Sequence, residues 1–304
     1  MPVRLALAAL AALALLVAGC GEDDGAAAAA GPEVVATTTQ VADLARNVGG
    51  DRAAVTALLA PNADPHDYEV RPRDAEAVAE AAVVLRSGGD LDEWLQEAID
   101  GSGTEAPVLN LIERVETIGD DPHWWQDPHN AELAVAAIRD ALAAADPDGA
   151  ATYRANAAAY LADLRALDRA VAACMEQIPA RRRKLVTTHD ALGYYAQRYD
   201  VDVIGTVIPS LSTEGQASAG ELSELVDTIR AEDVRAIFAE SSVGAKVEQA
   251  VADEAGATIG RPLWADTLGP EDSDGATYLD SIAANTRALV DGFTRGERSC
   301  SLPS

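Results

Sequence analysis

Short runs of apolar, mostly β-branched residues alternate with stretches of helical spacing along most of this chain. These runs predict strands over residues 34–37, 55–59, 82–85, 107–111, 184–188, 203–208, 236–239 and 258–264. Between them, stretches such as 73–82 have the three- and four-residue spacing of amphipathic helices. Because strands that alternate with helices form parallel sheets covered on both faces, the pattern predicts an α/β protein with two doubly wound lobes.

One long helix is predicted between the two lobes. Residues 150–178 contain no glycine or proline. Large apolar side chains recur there at steps of three, four or seven residues, at Tyr153, Tyr160, Leu164, Leu167, Val171, Met175 and Ile178. We therefore expect a first lobe over 33–147, a rigid linking helix over 148–179 and a second lobe with a tail over 180–304. A stiff helix of about 45 Å permits only small hinge motion between the lobes.

The first residues have the features of an export signal. Arg4 precedes an apolar run over residues 5–18 that is too short to span a bilayer. Residues 16–20 (Leu-Val-Ala-Gly-Cys) resemble a bacterial lipoprotein cleavage box. We expect a signal peptide over 1–19, lipidation of Cys20 and a flexible tether over 20–32. The protein is then lipid-anchored to the outer face of the cytoplasmic membrane or periplasmic, and an uncleaved anchor helix would place it in the same compartment.

Two further cysteines, Cys174 and Cys300, complete the set of three. In an exported protein this pair is compatible with one disulfide, which would join the C-terminal tail to the linking helix, and two free thiols are the alternative.

Composition and charge limit the classes of partner. Of the 304 residues, 48% are hydrophobic, which is enough to build packed cores. The 23 basic and 50 acidic side chains give a net charge of −27. Such a surface repels phosphate backbones, so nucleic acid is excluded as a partner.

All four histidines lie in loops or where a predicted strand ends. His66 and His189 each follow a strand, and His123 and His129 share a proline-broken loop. In doubly wound sheets, ligands bind outside the carboxyl ends of the strands. Imidazole is the commonest neutral metal ligand, so this confinement predicts a metal site in the cleft between the lobes.

A carboxylate is expected to complete the site. Two acidic residues lie at the ends of predicted strands, Glu240 and Asp266.

Five motifs together resemble those of the solute-binding proteins of ATP-driven zinc and manganese uptake transporters, over about residues 33–293. The motifs are Asp-Pro-His-Asp-Tyr-Glu at 64–69, Asp-Pro-His-Trp at 121–124, Thr-His-Asp-Ala-Leu-Gly-Tyr at 188–194, Phe-Ala-Glu-Ser-Ser-Val at 238–243 and Ala-Asp-Thr-Leu-Gly at 265–269. The resemblance implies two α/β lobes joined by a rigid helix, with one metal ion between them.

The resemblance also implies a role for each candidate residue. Carried over position by position, the ligands are His66, His123, His189 and Asp266. Glu240 corresponds to an acidic position that orients an imidazole or screens the ion. His129 matches no ligand and is expected near the rim.

The same resemblance implies three partners: a metal ABC permease, its cytoplasmic ATPase and the membrane itself. The protein is expected to act as a monomer, and a metallochaperone is a further candidate partner.

The chain departs from many zinc-specific members, because residues 116–121 form a short acidic segment without a histidine-rich loop. A relay of cations through this segment is therefore not expected, and Asp120 and Asp121 are expected to form at most an electrostatic funnel that attracts cations.

Three imidazole nitrogens and one carboxylate favour Zn²⁺, and Mn²⁺ is the alternative cargo. Since only the neutral ring coordinates, metal affinity is expected to fall below about pH 6.

A zinc-dependent hydrolase with Glu240 as base is a rival interpretation, but the chain has no His-Glu-x-x-His segment. A lipoprotein adhesin or siderophore receptor is another, with Trp124 and Trp125 as the only candidates for an aromatic pocket; these tryptophans are instead expected to wall the metal from water.

Overall fold

The first lobe is built on a four-stranded parallel sheet in the order β2-β1-β3-β4. The structure is a computed structural model that describes residues 31–303. The strands are β1 (Glu33–Ala36), β2 (Ala54–Ala57), β3 (Val83–Arg86) and β4 (Val108–Asn110). The helices are α1 (Thr39–Gly49), α2 (Pro72–Glu80), α3 (Leu95–Ser102) and α4 (Pro128–Ala145). The central strands β1 and β3 are buried because helices cover both faces of the sheet, as their continuous apolar runs predict.

The second lobe contains two parallel pairs of strands. One pair is β5 (Lys184–Thr187) with β6 (Asp202–Thr206), and the other is β7 (Ala236–Ile237) with β8 (Thr258–Ile259). A parallel bridge between Thr187 and Phe238 joins the two pairs in the order β6-β5-β7-β8. The helices are α6 (Gly193–Tyr199), α7 (Ala219–Ala231), α8 (Lys246–Ala255) and α9 (Tyr278–Thr294).

The α/β class, the parallel sheets and the positions of all the predicted strands are confirmed, but some strands are shorter than predicted. The strand predicted over 258–264 ends at Ile259. Gly260 and Pro262 follow, and a proline has no backbone N–H to donate to a neighbouring strand. The chain resumes pairing at Leu263, in an isolated bridge to Glu240.

The predicted long helix is α5 (Ala150–Glu176), whose 27 residues span about 40 Å. Its tyrosine and leucine stripe is buried. The helix contacts α1 and α4 of the first lobe and α6 and α9 of the second. One apolar core, from Val34 to Phe293, therefore runs through α5 into both lobes. This shared core supports a stiff connection.

Beyond α9, the C-terminal tail is fastened to α5. Cys174 on α5 and Cys300 in the tail form a disulfide, with their Cα atoms 5.8 Å apart. Leu302 in the same tail packs against the shared core. The expected signal peptide, lipidation at Cys20 and most of the tether lie outside the described residues. Within residues 31–303, no helix combines the length and apolarity needed to cross a membrane.

Candidate metal centre

Four side chains converge from loops at the carboxyl ends of the strands. His66 lies between β2 and α2, and His123 follows β4. His189 comes directly after β5, and Asp266 lies between β8 and α9. Carboxyl ends of parallel strands share one edge of a sheet. The two sheets therefore present these residues to each other across the boundary between the lobes.

The distances among the four side chains are those of a metal coordination sphere. One ligand atom from each residue lies within 4.8 Å of the others. The Nε2 atom of His189 is 3.3 Å from Nε2 of His123 and 3.3 Å from Oδ2 of Asp266. Oδ1 of Asp266 is 3.4 Å from Nε2 of His123, and Oδ2 is 3.5 Å from Nε2 of His66. Tetrahedral ligands at 2.0–2.1 Å from an ion are about 3.3 Å apart, so the spacing fits a four-coordinate ion.

The converging atoms are buried and without ordinary partners. The side chains of His123, His189 and Asp266 are fully buried, and that of His66 is 5% exposed. Among the described residues, neither oxygen of Asp266 nor Nε2 of His66 has a hydrogen-bond partner. Buried polar atoms left in this way are costly. A cation bound among them would satisfy all three atoms at once.

An Asp-Pro-His turn occurs three times in the chain, but only two of the histidines reach the centre. In each turn an aspartate oxygen accepts the backbone N–H of the histidine two residues later, at 2.9 Å for His66, 2.9 Å for His123 and 2.8 Å for His129. In the third turn, Asp127 is also the N-cap of α4. His129 therefore lies in the first turn of that helix, apart from the four clustered residues.

Carboxylates orient two of the imidazoles from behind. Glu240 lies with its oxygens 2.8 and 2.9 Å from Nδ1 of His189, and Oδ1 of Asp121 lies 2.7 Å from Nδ1 of His123. A proton held on Nδ1 leaves Nε2 free for an ion and fixes the ring plane. For Glu240 this is the contact that its expected orienting role requires.

Asp121 does not occupy the place expected of it. The sequence predicts at most an electrostatic funnel made with Asp120, but the Asp121 carboxylate is turned inward against His123 and only 7% of the residue is exposed. The proline turn causes the difference, because it brings the aspartate back towards the histidine two residues later. The repeated Asp-Pro-His spacing is the sequence signal from which this contact could have been predicted.

The loop that carries Asp266 is held by the first lobe. The Ala265 carbonyl accepts hydrogen bonds from Trp125 Nε1 at 2.9 Å and Gln126 Nε2 at 2.8 Å. The backbone N–H of Leu268 donates to Thr39 Oγ1 at 2.8 Å. These bonds hold the second-lobe member of the cluster, Asp266, against the first lobe.

The tryptophan pair covers the centre from the first lobe. Trp124 and Trp125 are buried, and the ring of Trp125 meets that of His123 edge-on, with centroids 5.3 Å apart. Trp125 thus packs on one imidazole of the cluster, and the two buried rings do not line an open aromatic pocket.

Without a bound ion, the charges around the centre favour a proton on the imidazole of His189. Burial disfavours the charged form of His189, but the carboxylates of Asp266 and Glu240 outweigh it and raise the pKa of this imidazole to about 9. Burial also disfavours ionised Asp266, yet the surrounding imidazoles, His189 foremost, hold the pKa of its carboxyl well below the usual range. Burial raises the pKa of Glu240. A proton on His189 thus stands in for part of the charge that a metal ion would bring.

Comparison with known families agrees with this geometry. The model of the family described as zinc-uptake complex component A, periplasmic (ZnuA) matches residues 34–292. The chain belongs to this family. Its members are the substrate-binding proteins of metal ABC transporters, not enzymes, and act with a permease and an ATPase. The hydrolase interpretation is therefore wrong.

Relatives within the family are named for different metals. The manganese-binding lipoprotein MntA of Bacillus subtilis is 34% identical over 287 residues, which cover 90% of this chain and 93% of that protein. MntA of Halalkalibacterium halodurans is 32% identical over 290 residues, covering 93% and 96%. The solved structure of the periplasmic zinc-binding protein TroA from Treponema pallidum superimposes with a TM-score of 0.80 at 28% identity, covering 86% of this chain and 99% of that one. Metal binding is shared, whereas the ion differs between relatives.

The two aspartates of neighbouring Asp-Pro-His turns provide a matched test of the orienting contact. Asp121→Asn weakens the charge-assisted bond to His123, and we expect it to lower metal affinity about tenfold or more. Asp127→Asn removes the same charge from the same kind of turn, keeps a good N-cap and touches none of the four clustered residues. It should leave the affinity unchanged in a competition titration against a fluorescent chelator. Equal losses in the two variants would contradict the role assigned to Asp121.

Proposed function

We propose that this protein captures zinc between its two lobes and delivers it to the permease of an ABC importer, with four ligands: His66, His123, His189 and Asp266. One observation carries the proposal. Three imidazole nitrogens and one carboxylate lie buried within 4.8 Å of one another. The first lobe supplies two of these residues and the second lobe supplies the other two.

The donor set supports zinc as the cargo. Closed zinc sites are four-coordinate and rich in nitrogen or sulfur, whereas manganese favours more oxygen ligands. Four of the separations between candidate ligand atoms are 3.3 to 3.5 Å, which is the spacing of a tetrahedral zinc site.

Two observations favour manganese as the second candidate. The MntA relatives from two organisms are named as manganese-binding. In addition, both oxygens of Asp266 face imidazole nitrogens, with Oδ1 towards His123 and Oδ2 towards His66 and His189. A carboxylate that binds through both oxygens would raise the coordination number and the oxygen content of the site.

Capture and transfer follow from the placement of the ligands. An ion that binds residues of both lobes stabilises the closed arrangement, which the permease can distinguish from the open one. Release requires the Asp266 loop to separate either from the first lobe or from His189. In the first case, its hydrogen bonds to Trp125, Gln126 and Thr39 must break.

The same proposal covers the chain outside the centre. Cleavage before Cys20 and lipidation of that residue would anchor the lobes 33–147 and 180–304, with their linking helix 148–179, outside the cytoplasm. The lipoprotein names of relatives support this anchoring. We propose a monomer, because one chain supplies all four ligands. A metallochaperone would be an additional partner in loading the site.

Metal content and transport together test the proposal. Elemental analysis of protein purified without added metal should find one zinc ion per chain. Because nitrogen-rich sites prefer zinc over manganese whatever the physiological cargo, a growth assay is also needed. A strain lacking this protein should fail under metal limitation and recover with added zinc but not with added manganese. Manganese in the purified protein and recovery with manganese would establish the second candidate instead.

A further inference from the structure

A cavity lies in the second lobe, apart from the four clustered residues. It has a volume of about 280 Å³ and lies between α7, α8 and the segment that follows β6. Its walls are mostly apolar, with Val207, Leu222, Val243 and Val247 among the lining residues. Val247 is 45% exposed, so an apolar wall of the cavity reaches the surface.

A buried carboxylate lines this cavity. Glu248 on α8 is an acidic residue, yet it is only 2% exposed and lies among the apolar residues of the wall. Its Oε1 atom accepts a hydrogen bond from Thr188 Oγ1 at 2.7 Å. Its Oε2 atom has no hydrogen-bond partner among residues 31–303. An unpartnered oxygen on a buried acidic group is costly, so a donor that enters the cavity would gain from meeting it.

The chain's own lysines do not supply that donor. It has two lysines, Lys184 and Lys246. Nζ of Lys184 already donates to Glu232 at 2.7 Å. Lys246 is exposed and lies two positions before Glu248 on α8, and residues at that spacing do not face each other. Oε2 of Glu248 therefore has no lysine partner within the chain, and an ammonium group of another molecule could take that place.

We propose that this cavity binds a primary alkylammonium group of about the length of a lysine side chain. The ammonium group donates to Oε2 of Glu248, and the methylene stem packs against the valine and leucine walls. Long cationic side chains commonly combine an apolar stem with a charged end in this way. The net charge of −27 also raises the local concentration of cations around the protein.

The test uses n-butylammonium chloride as the probe and ¹⁵N-labelled, metal-loaded protein. Amide signals of Val207, Leu222, Val247 and Glu248 should shift and saturate. Methylammonium, which lacks the stem, and n-butanol, which lacks the charge, should each bind about tenfold more weakly or worse. If n-butanol binds as well as n-butylammonium, or if the shifts lie elsewhere, the proposal is wrong.

A charge-matched pair of variants tests the role of the carboxylate. Glu248→Gln keeps the side-chain shape and an acceptor for Thr188, and it should weaken n-butylammonium binding about tenfold or more. Glu254→Gln removes an equal charge from an exposed position on the same helix and should have no effect. Equal binding by both variants would overturn the proposal. The comparison of the three probes in the unaltered protein stands even if Glu248→Gln does not fold.

A capped Gly-Lys-Gly peptide then identifies the source of the ammonium group. Binding as tight as that of n-butylammonium indicates a lysine on the surface of another protein. Binding of n-butylammonium alone indicates a small free amine. Either result supports the site, and neither depends on which ion the metal centre holds.

Discussion

Replacing His189 with alanine should weaken zinc binding about 100-fold or more. Four-ligand zinc sites in proteins contribute about 10–16 kcal/mol in all, which is about 3 kcal/mol for each ligand and a factor of about 100 in affinity. The variant also leaves Glu240 buried without the imidazole that now contacts both of its oxygens. His189 is fully buried, and its Nε2 atom lies 3.3 Å from Nε2 of His123 and 3.3 Å from Oδ2 of Asp266, so its removal opens a gap at the centre of the cluster.

His129→Ala is the matched control for this prediction. It also removes an imidazole, but His129 lies in the first turn of α4 and outside the cluster. Competition titration with a zinc-selective chelator should give the unaltered affinity for this variant. Four-coordinate zinc that survives His189→Ala undiminished, or a larger loss from His129→Ala, would show that the ligands have been assigned wrongly.

The sheets and the long helix could be predicted because their signals are local. The valine pairs of β1 and β3 form continuous apolar runs, and such runs predict buried parallel strands. The stripe from Tyr153 to Met175 repeats at helical spacing without a glycine or proline. Each pattern involves residues that are close together in the chain. Local backbone preference and burial favour the same structure at these residues, so the prediction needs no knowledge of distant contacts.

Much of the metal centre depends on contacts between distant residues. The ligand set was inferred from a resemblance to family motifs, since strand-end position alone left Glu240 and Asp266 as equal candidates. The bonds from Trp125 and Gln126 to Ala265 join residues 140 and 139 positions apart. No periodicity in the sequence encodes such a pairing, because it arises only when both lobes have folded and met across α5.

The Asp266 loop changes how the two lobes share the ion. By chain position, each lobe contributes two of the four proposed ligands. The hydrogen bonds of its loop, however, also fasten Asp266 to the first lobe, through Trp125, Gln126 and Thr39. His189 is held within the second lobe, by Glu240. The separation between His189 and the other three ligands is therefore the step that would release the ion while leaving the contacts of the Asp266 loop intact.

Zinc affinity should fall steeply as the pH is lowered from about 9, well above the threshold near pH 6 expected from an unperturbed histidine. The pKa of His189 in the metal-free protein is raised to about 9, because Asp266 and Glu240 together outweigh the effect of burial. Only the neutral ring coordinates, so a proton must leave before zinc binds. A raised pKa strengthens the competing proton, so acidification weakens zinc binding by about tenfold for each pH unit below the pKa.

Calorimetry in buffers with different heats of ionisation measures this proton directly. At pH 7 each zinc ion should displace at least one proton from the site, and affinity should be about 100-fold or more lower at pH 6 than at pH 8. Glu240→Gln provides the control: without that charge the pKa of His189 falls, and fewer protons are released at pH 8. An affinity that stays constant between pH 9 and pH 7 would mean that His189 is already neutral in the metal-free protein. In that case the two carboxylates would not hold a proton at the centre in place of the ion.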